Sequence, residues 1–325
     1  MAVKRIDVHH HFVPSFYAQA LEDGGGDPSG WAIPDWTLEK DMQFNDQEGI
    51  DFTFLTITAP GAGILPTEKQ AAFCRKANAY AAAIRDAHPT RYGFFATIPS
   101  LLDPQAAHQE LAHALDVLDA DGVILYTRYG GGNHYLGHPD FRSTWAQLEA
   151  RRAVVFVHPT HPADTALVNA RLPQPMVDYP HETTRAAVDL VVSGTVRAHP
   201  HVKVILPHAG GTLPYLALRP AVMLPHVGGG TSTEQFLADA RSFYFDTALS
   251  AGHLTLDLLK GFAMPGRVLF GSDFPYAPAP AIRHMDSLLD TYEGGQNGAF
   301  VQSINHSAAL ELFPRLARVL RSGSL

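Results

Sequence analysis

A cluster of histidines near the start of the chain has the spacing of a metal site. The sequence Asp7-Val8-His9-His10-His11 ends the first apolar run. Successive side chains of a β-strand point to opposite faces, so a strand here puts His9 and His11 on one face and His10 on the other. Two imidazoles on one inward face can bind one ion. Because the run is short and lies within a strand, metal binding is favoured over a purification tag or a chance run.

Three further polar residues occupy equivalent places later in the chain. His158 ends VVFVH, His208 ends VILPH, and Asp273 ends VLFGSD. A histidine or aspartate buried after an apolar strand is costly unless it is paired or bound to a metal. Any one of them alone would ordinarily be a core or capping residue. Their repetition, together with His9 and His11, indicates a single site.

The elements that must position these residues are eight short apolar, β-branched or aromatic runs. They read KRIDVHH, DFTFLTIT, RYGFFATI, DGVILYT, AVVFVHP, VKVILPH, FYFDTAL and RVLFGSD. Between them lie longer stretches with helical periodicity, such as TEKQAAFCRKANAYAAAIRDAH. Strands that alternate with helices indicate βαβ units and a parallel sheet. Eight strands in 325 residues predict an α/β fold of the (β/α)8 TIM-barrel type, with an open doubly wound sheet as the alternative.

In a barrel of this class, the carboxyl-terminal ends of the strands carry the active site. The candidate residues all lie at such ends, so we expect them at one face of the barrel. The Gly/Pro-rich segment 24–36, GGGDPSGWAIPDW, is expected to follow the first strand directly as a loop insertion over the barrel mouth. Within it, Trp31 and Trp36 form either part of an aromatic lid or ordinary loop packing. A second loop, RYGGGNHYLGHP, follows the fourth run.

Helix signals divide the rest of the chain without suggesting a second domain. Asp103 followed by Pro104 has the form of a helix start, with proline in the first turn, and ETT at 182–184 precedes another periodic run. The tail from about residue 300 predicts a final helix or two, with Asn305-His306 as a cap. No shift in composition and no further repeat occurs. Residues 1–325 are therefore expected to form one barrel domain with an extra C-terminal helix.

Composition excludes several classes of function. The formal net charge is −8, and the charges are interspersed without a Lys/Arg run, so a nucleic-acid footprint is absent. No apolar run reaches the roughly 20 residues of a membrane helix, and the start lacks the apolar stretch of a secretory signal. Cys74 is the only cysteine, so a cytoplasmic location is expected. The sequence contains neither a dinucleotide-binding fingerprint nor a P-loop, so it does not indicate nicotinamide or nucleotide chemistry.

Four motifs together resemble those of a known family. DVHHHF, FVHP, LPHAGGTLPY and GSDFPY occur in order and at similar spacing. Through them, essentially the whole chain resembles the amidohydrolase superfamily, specifically its aminocarboxymuconate-semialdehyde decarboxylase-like branch. The resemblance implies that His9, His11, His158 and Asp273 bind a metal. It also implies catalytic roles for His208 and Asp273.

The resemblance implies one divalent metal ion, because no carboxylated lysine stands where binuclear relatives carry a bridging one. Mixed nitrogen and carboxylate ligands suit Zn²⁺. Some decarboxylating relatives replace the first histidine with a carboxylate and favour manganese. This chain keeps His9, which favours zinc and leaves Mn²⁺ as the alternative.

Substrate contacts and assembly are also implied by the resemblance. Arg219 in GGTLPYLALRP is similar to an arginine that reaches a substrate carboxylate in the neighbouring subunit's site, which implies a homodimer. On its own, Arg219 could equally be a solvated surface residue. Tyr276 in SDFPY is expected to line the pocket or merely to pack. Arg185 in ETTRAA is expected to be a surface residue of a helix rather than part of the site.

Within the branch, RIDVHHHFVPSFY, DPSGW and PDW most resemble decarboxylases of 2-hydroxybenzoates. This implies a lyase that takes a small aromatic carboxylate, converting 6-methylsalicylate to m-cresol and CO₂. The alternative is a hydrolase of a lactone or amide that uses the same ligands and a metal-bound hydroxide. A third possibility is a non-catalytic binding barrel, which predicts a metal with no open coordination position. The complete ligand set and His208 argue against it.

Overall fold

The computed structural model describes residues 5–228, 230–292 and 298–322. Within these ranges, each of the eight predicted runs forms a strand of one parallel sheet. The strands are β1 (Ile6–His11), β2 (Phe52–Thr56), β3 (Tyr92–Thr97), β4 (Gly122–Tyr126), β7 (Val154–His158), β8 (Lys203–Leu206), β9 (Tyr244–Asp246) and β10 (Val268–Leu269). A two-stranded hairpin, β5 (Arg128–Tyr129) and β6 (His134–Tyr135), occupies the predicted loop after β4.

Backbone hydrogen bonds close the sheet into a barrel. The strand order β1-β2-β3-β4-β7-β8-β9-β10 follows the chain, and the segment after β10 returns to β1. The Val8 N–H donates to the carbonyl of Phe270 at 3.0 Å, and the Asp273 N–H donates to the carbonyl of His9 at 2.8 Å. The prediction of a (β/α)8 TIM barrel is therefore confirmed over an open sheet.

Helices surround the barrel and follow the strands. They are α1 (Ser15–Asp23), α2 (Leu38–Glu48), α3 (Thr67–Ala87), α4 (Pro104–Ala112), α5 (Arg142–Ala150), α6 (Gln174–Val192), α7 (Thr195–Ala198), α8 (Leu213–Leu216), α9 (Leu218–Met223), α10 (Thr233–Arg241), α11 (His253–Phe262), α12 (Ala279–Thr291), α13 (Ala299–Gln302), α14 (Ala308–Leu312) and α15 (Pro314–Ser322). Among the described helices, none has the length and apolar character to cross a bilayer.

Stacked phenylalanines fill the barrel interior beneath the strand ends. Phe54 stacks on Phe95 with ring centroids 5.3 Å apart, and Phe95 stacks on Phe156 at 5.6 Å. Phe313, between α14 and α15, packs against Phe54 at 4.2 Å, so the tail contributes to this core. Phe156 in turn meets the ring of His9 edge-on at 4.9 Å. The inward face of β1 thus packs against a layer of phenylalanine rings.

Several local predictions change in the structure. The loop 24–36 does not follow β1 directly, because α1 comes between them, and α2 follows the loop. The ETT segment at 182–184 lies inside α6, which begins eight residues earlier at Gln174. Asn305 and His306 lie within a π-helical turn, Ser303–Ser307, and do not cap a helix. The start at Asp103 is confirmed, since its side chain accepts a hydrogen bond from the Ala106 N–H at 3.1 Å.

Candidate metal centre and active site

The inward histidines of β1 converge with His158 and Asp273 at the barrel mouth. His9 Nε2 lies 3.2 Å from His11 Nε2 and 3.4 Å from Asp273 Oδ1, and His11 Nε2 lies 3.2 Å from the same oxygen. The ligand atoms of His9, His11 and His158 all lie within 4.8 Å of one another. Ligands about 2.0–2.1 Å from a tetrahedral ion are separated by roughly 3.4 Å. The observed spacing therefore fits one small divalent cation.

Hydrogen bonds at the far nitrogen of each ring turn Nε2 towards the centre. His9 Nδ1 donates to Asp246 Oδ2 at 2.8 Å, and His158 Nδ1 donates to the carbonyl of Pro159 at 2.8 Å. His11 Nδ1 donates to Thr56 Oγ1 at 2.7 Å, since that hydroxyl donates its own hydrogen to a backbone carbonyl. In the neutral rings, the Nε2 atoms then carry lone pairs that face one another. A shared cation relieves this repulsion, so the donor set fits a metal.

The ionisation of the cluster is shaped by burial and by its carboxylates. Burial disfavours charge on His9, but the carboxylates of Asp246 and Asp273 outweigh it and raise the His9 pKa to about 10. Burial, reinforced by the charge on His9, lowers the His11 pKa to about 4. Burial alone would raise the pKa of Asp273, but the neighbouring histidines hold it well below its usual range. The carboxylates that hold a proton on His9 would equally attract a metal cation.

Asp246 is a functional residue that the sequence analysis missed. It ends β9, and its Oδ1 accepts hydrogen bonds from the backbone N–H of His208 at 2.9 Å and of Ala248 at 3.0 Å. One carboxylate thus orients His9 through its side chain and His208 through its backbone. The available signal was its position at the end of the seventh apolar run, FYFDTAL, which matches the other strand ends.

His208 approaches the cluster from the turn after β8. Its Nδ1 donates to the carbonyl of Ala248 at 3.0 Å, and its ring centroid lies 4.9 Å from that of His9. His208 and Asp273 both have left-handed backbones, with φ of 51° and 64°. Such conformations are strained for residues other than glycine and are concentrated at functional sites. The following Gly211 is required, because a Cβ there would lie 2.0 Å from the carbonyl oxygen of Pro180.

A cavity of about 180 Å³ opens in front of His158, His208 and Asp273. A buried cavity of about 150 Å³ suffices for benzene, so there is room for one substituted ring. Its remaining walls are mostly apolar, and they include Trp31, Ala59, Pro175, Met176, Tyr179, Pro180, Leu249, Tyr276, Ala277 and Pro278. The polar residues Asp27, Ser29, Thr58 and Ser250 also line it.

The two tryptophans of the loop 24–36 have different roles. Trp31 lines the cavity, and its Nε1 donates to the carbonyl of Tyr276 at 2.9 Å. Trp36 is buried against Phe12 and donates to Asp41 Oδ2 at 2.9 Å. The loop therefore covers the barrel mouth, but only Trp31 has the position of a lid residue. Trp36 anchors the end of the loop to the core.

The structure places Tyr276 in the cavity and both candidate arginines outside it. The Tyr276 ring meets His11 edge-on at 5.6 Å, and its buried hydroxyl has no hydrogen-bond partner among the described residues. Arg185 is 58% exposed and pairs with Glu182 at 3.6 Å, as expected of a surface residue. Arg219 on α9 is exposed and lines a separate surface groove. It contributes nothing to its own subunit's cavity.

The family assignment follows from a match that spans the barrel. Residues 6–314 match the family model described as amidohydrolase. The chain therefore belongs to the amidohydrolase family, and the resemblance inferred from the sequence motifs is confirmed.

Individual relatives narrow the comparison. The chain is 54% identical over 324 residues to the 6-methylsalicylic acid decarboxylase of Penicillium expansum, covering 99% of both chains. A solved amidohydrolase II structure superposes with a TM-score of 0.87 at 27% identity, covering 95% of this chain and 99% of that one. A dihydroxybenzoic acid decarboxylase from Polaromonas, solved with bound manganese and 2-nitroresorcinol, has the same fold. Its TM-score is 0.80 at 22% identity, over 96% of this chain and 97% of that one.

Proposed function

We propose that this protein is a metal-dependent, non-oxidative decarboxylase of a 2-hydroxybenzoate, and that it converts 6-methylsalicylate to m-cresol and CO₂. The observation that carries the proposal is the convergence of His9, His11, His158 and Asp273, of which His158 and Asp273 also line a mostly apolar cavity sized for one ring. The 54% identity to a 6-methylsalicylic acid decarboxylase over nearly the whole chain supports the choice of substrate.

We assign one divalent metal to this cluster, with Zn²⁺ as the preferred ion and Mn²⁺ as the alternative. Three imidazoles and one carboxylate suit zinc, and Mn²⁺ as the alternative is supported by a protein of the same fold that was solved with bound manganese. When bound, the ion supplies positive charge that attracts the two adjacent oxygens of a 2-hydroxybenzoate. The chain's own residues then orient the ring and move the proton.

Asp273 is assigned the proton transfer. Ionisation of the substrate's 2-hydroxyl releases a proton that the Asp273 carboxylate takes up and delivers to the ring carbon bearing the carboxylate. A C–H bond forms there and aromaticity is lost. The bond to the carboxylate then breaks, its electron pair returns to the ring, and CO₂ leaves. The product phenolate takes a proton from water, so the overall reaction needs no redox cofactor.

His208 is assigned a supporting role through its free ring nitrogen. Because its Nδ1 donates to the carbonyl of Ala248, Nε2 of the neutral ring can accept a hydrogen bond from the substrate. Removal of such general acid–base groups typically costs about 10²–10⁴-fold in rate. The buried hydroxyl of Tyr276, which has no hydrogen-bond partner within the part of the chain that the structure describes, is assigned a further polar contact with the bound ring.

The apolar wall of the cavity accounts for a preference among ring substituents of the substrate rather than for absolute selectivity. Met176, Leu249 and the prolines beside them offer no polar group to a ring substituent. One methyl group in such a pocket is worth about 1–3 kcal/mol, so salicylate should react more slowly than 6-methylsalicylate. Loss of the 2-hydroxyl should cost far more, because it removes both a metal contact and the proton source.

The test of the reaction compares 6-methylsalicylate, salicylate and 2-methylbenzoate by chromatography of the products, with CO₂ release as a second readout. We expect m-cresol from the first, phenol at a lower rate from the second, and no reaction of the third. Equal rates for 2-methylbenzoate and 6-methylsalicylate would overturn the role of the 2-hydroxyl. No reaction of any of the three, with hydrolysis of a lactone, would favour the hydrolase on the same ligands.

We further propose that the chain acts as a homodimer in which Arg219 completes the partner's site. Exposed apolar side chains surround this arginine on α8, α9 and the turn that follows, and they are Tyr215, Leu218, Val222, Met223 and Val227. Burial of such a patch stabilises an interface between subunits. The arginine would bring positive charge to a substrate carboxylate.

Subunit mixing tests the role of Arg219. Arg219→Ala protein is exchanged with inactive Asp273→Ala protein, and activity is measured after exchange is verified by native mass spectrometry. If the arginine acts across the interface, mixed dimers contain one intact site and recover activity. No recovery in verified mixed dimers, or a monomer by light scattering, would overturn this assignment.

A further inference from the structure

A second group of metal-binding side chains lies outside the catalytic cavity, in the loop after β4. His134 belongs to the hairpin strand β6, while His138 and Asp140 lie at the short 3₁₀ helix Pro139–Phe141. His134 Nε2 lies 3.6 Å from Asp140 Oδ2, and His138 Nδ1 lies 3.4 Å from the same oxygen. The two imidazole centroids are 4.3 Å apart. One ligand atom of each residue lies within 4.8 Å of the others.

The spacing of this group resembles that of the catalytic cluster. The catalytic contacts span 3.2 to 3.4 Å, close to the roughly 3.4 Å edge of a tetrahedral zinc site. The two contacts to Asp140 fall in nearly the same range. The hydrogen bond that a metal would displace from His138 is weak, because His138 Nδ1 accepts only a long hydrogen bond of 3.3 Å from the Asp140 N–H. A cation bound at Nδ1 would replace it.

The backbone that carries these ligands is held in place by α6. The Gly137 N–H donates to Asp189 Oδ2 at 2.6 Å, and a Cβ on Gly137 would lie 2.4 Å from Ser193 Oγ. Tyr135 donates its hydroxyl hydrogen to Glu182 at 2.9 Å. The turn that brings His138 back to His134 is thus fixed before any ligand arrives. Such preorganisation lowers the entropic cost of binding.

We propose that His134, His138 and Asp140 form a second metal site, which binds a borderline divalent cation such as Zn²⁺. Two imidazoles and one carboxylate match the preference of zinc for nitrogen and oxygen ligands. The imidazoles are each 33% exposed and the carboxylate 59%, so water completes the coordination and the ion exchanges with solvent. The bound ion joins the hairpin to the 3₁₀ helix and stiffens this loop beside α6.

In the first test, zinc is titrated into the metal-loaded enzyme and its binding is measured by calorimetry, in parallel for the wild-type protein and His134→Gln. We expect one additional zinc per chain in the wild type, with micromolar affinity, and at least about tenfold weaker binding in the variant. His284→Gln is the matched control, because His284 is an exposed histidine outside both clusters. It should bind zinc as the wild type does. Equal affinity in the wild type and His134→Gln would overturn the proposal.

A second titration separates this site from the catalytic cluster. In His11→Ala protein the loop site should still bind one zinc, and in His11→Ala with His134→Gln this binding should weaken. Zinc should also slow backbone hydrogen exchange over residues 134–141 in the His11→Ala protein. If His11→Ala abolishes all zinc binding while the chain stays folded, zinc binds only at the barrel cluster and the loop site does not exist.

Discussion

The two faces of β1 use the same residue type for opposite purposes. His9 and His11 point inward, where their Nε2 atoms face one another and lie close to Asp273, which lines the cavity. His10 points outward, and both of its ring nitrogens are occupied: Nδ1 bonds to Asp7 at 2.9 Å and Nε2 to Asp41 at 2.8 Å. The inward pair can still bind a ligand, whereas both ring nitrogens of His10 are already hydrogen-bonded within the fold.

The outward network also fixes the inward ligands. Asp7 Oδ1 accepts from the backbone N–H of His9 at 3.0 Å and of Ser272 at 3.1 Å. One carboxylate thereby fastens the two segments that carry His9 and Asp273. Asp41 binds His10 and also accepts hydrogen bonds from Trp36 and Tyr92. A satisfied polar network behind a site can thus hold the groups that face the site in position.

The largest effect is expected on the inward face. His11→Ala should leave the fold intact but remove the metal and, with it, turnover above the uncatalysed rate, because the ion supplies several kcal/mol of charge stabilisation. Metal content by elemental analysis and the rate of product formation are measured together. Full activity in the presence of a chelator, with no bound metal, would contradict the assignment of these histidines.

The next effect separates metal binding from proton handling. His208→Ala should retain the metal and lose about 10²–10⁴-fold in turnover, because we assign its ring to the substrate rather than to the ion. The matched comparison is Asp273→Asn, which should lower both metal content and turnover. Near-normal turnover of His208→Ala would remove this histidine from the mechanism.

On the outward face we expect an effect on stability and its pH dependence. Burial opposes charge on His10, but Asp41 and Asp7 outweigh it and raise its pKa from 6.5 to about 9. The stabilisation from the charged ring is therefore fully present below about pH 6.5 and is lost as pH rises through 9. Between those values, the free energy of unfolding of the wild type should fall by about 2–3 kcal/mol more than that of His10→Gln.

Urea unfolding of the metal-loaded proteins at the two pH values measures this difference. His284→Gln is again the control, because His284 is an exposed histidine outside this network. If the free energy of unfolding depends on pH in the same way for the wild type and His10→Gln, His10 is neutral in its network. The two faces of β1 would then differ in hydrogen bonding but not in charge.

The smallest effect concerns Tyr276. Its hydroxyl is buried without a partner among the described residues, so Tyr276→Phe should change the free energy of unfolding by less than about 1 kcal/mol. If the substrate supplies the partner, KM should rise about 2–10-fold, the equivalent of one neutral hydrogen bond. Unchanged KM and kcat would assign the ring to packing alone.

Local patterns were sufficient to predict the strands and the residues that converge in the candidate metal centre. Most of the barrel strands are buried along their whole length, as β2 and β7 are, and β8 and β9 are buried except at their first residue, so their apolar composition is visible without knowledge of their neighbours. His158 and Asp273 were found because each ends such a run. The helix starts were less predictable: the apolar period of α6 begins near residue 182, but the helix extends back to Gln174 over the barrel mouth, where tertiary contacts override local signals.

Other features depended on segments distant in sequence. Asp246 ends the seventh apolar run, but its contact with the site appears only when β9 brings it 2.8 Å from His9, 237 positions earlier in the chain. Trp31 and Trp36 are five residues apart and equally aromatic, yet one lines the cavity and the other packs into the core. The loop that carries them follows α1 rather than β1, which no local pattern indicated.

The α/β alternation, the eight strands and the face of β1 on which His9 and His11 lie could be predicted from local patterns, because strand periodicity and burial are properties of neighbouring residues. Tertiary contacts were needed to show which nitrogen of each histidine turns inward, which side chains line the cavity, and that His134, His138 and Asp140 meet. The first two outcomes follow from barrel closure, which joins residues that are distant in the chain, and the third follows from the conformation of the loop after β4, which α6 holds in place.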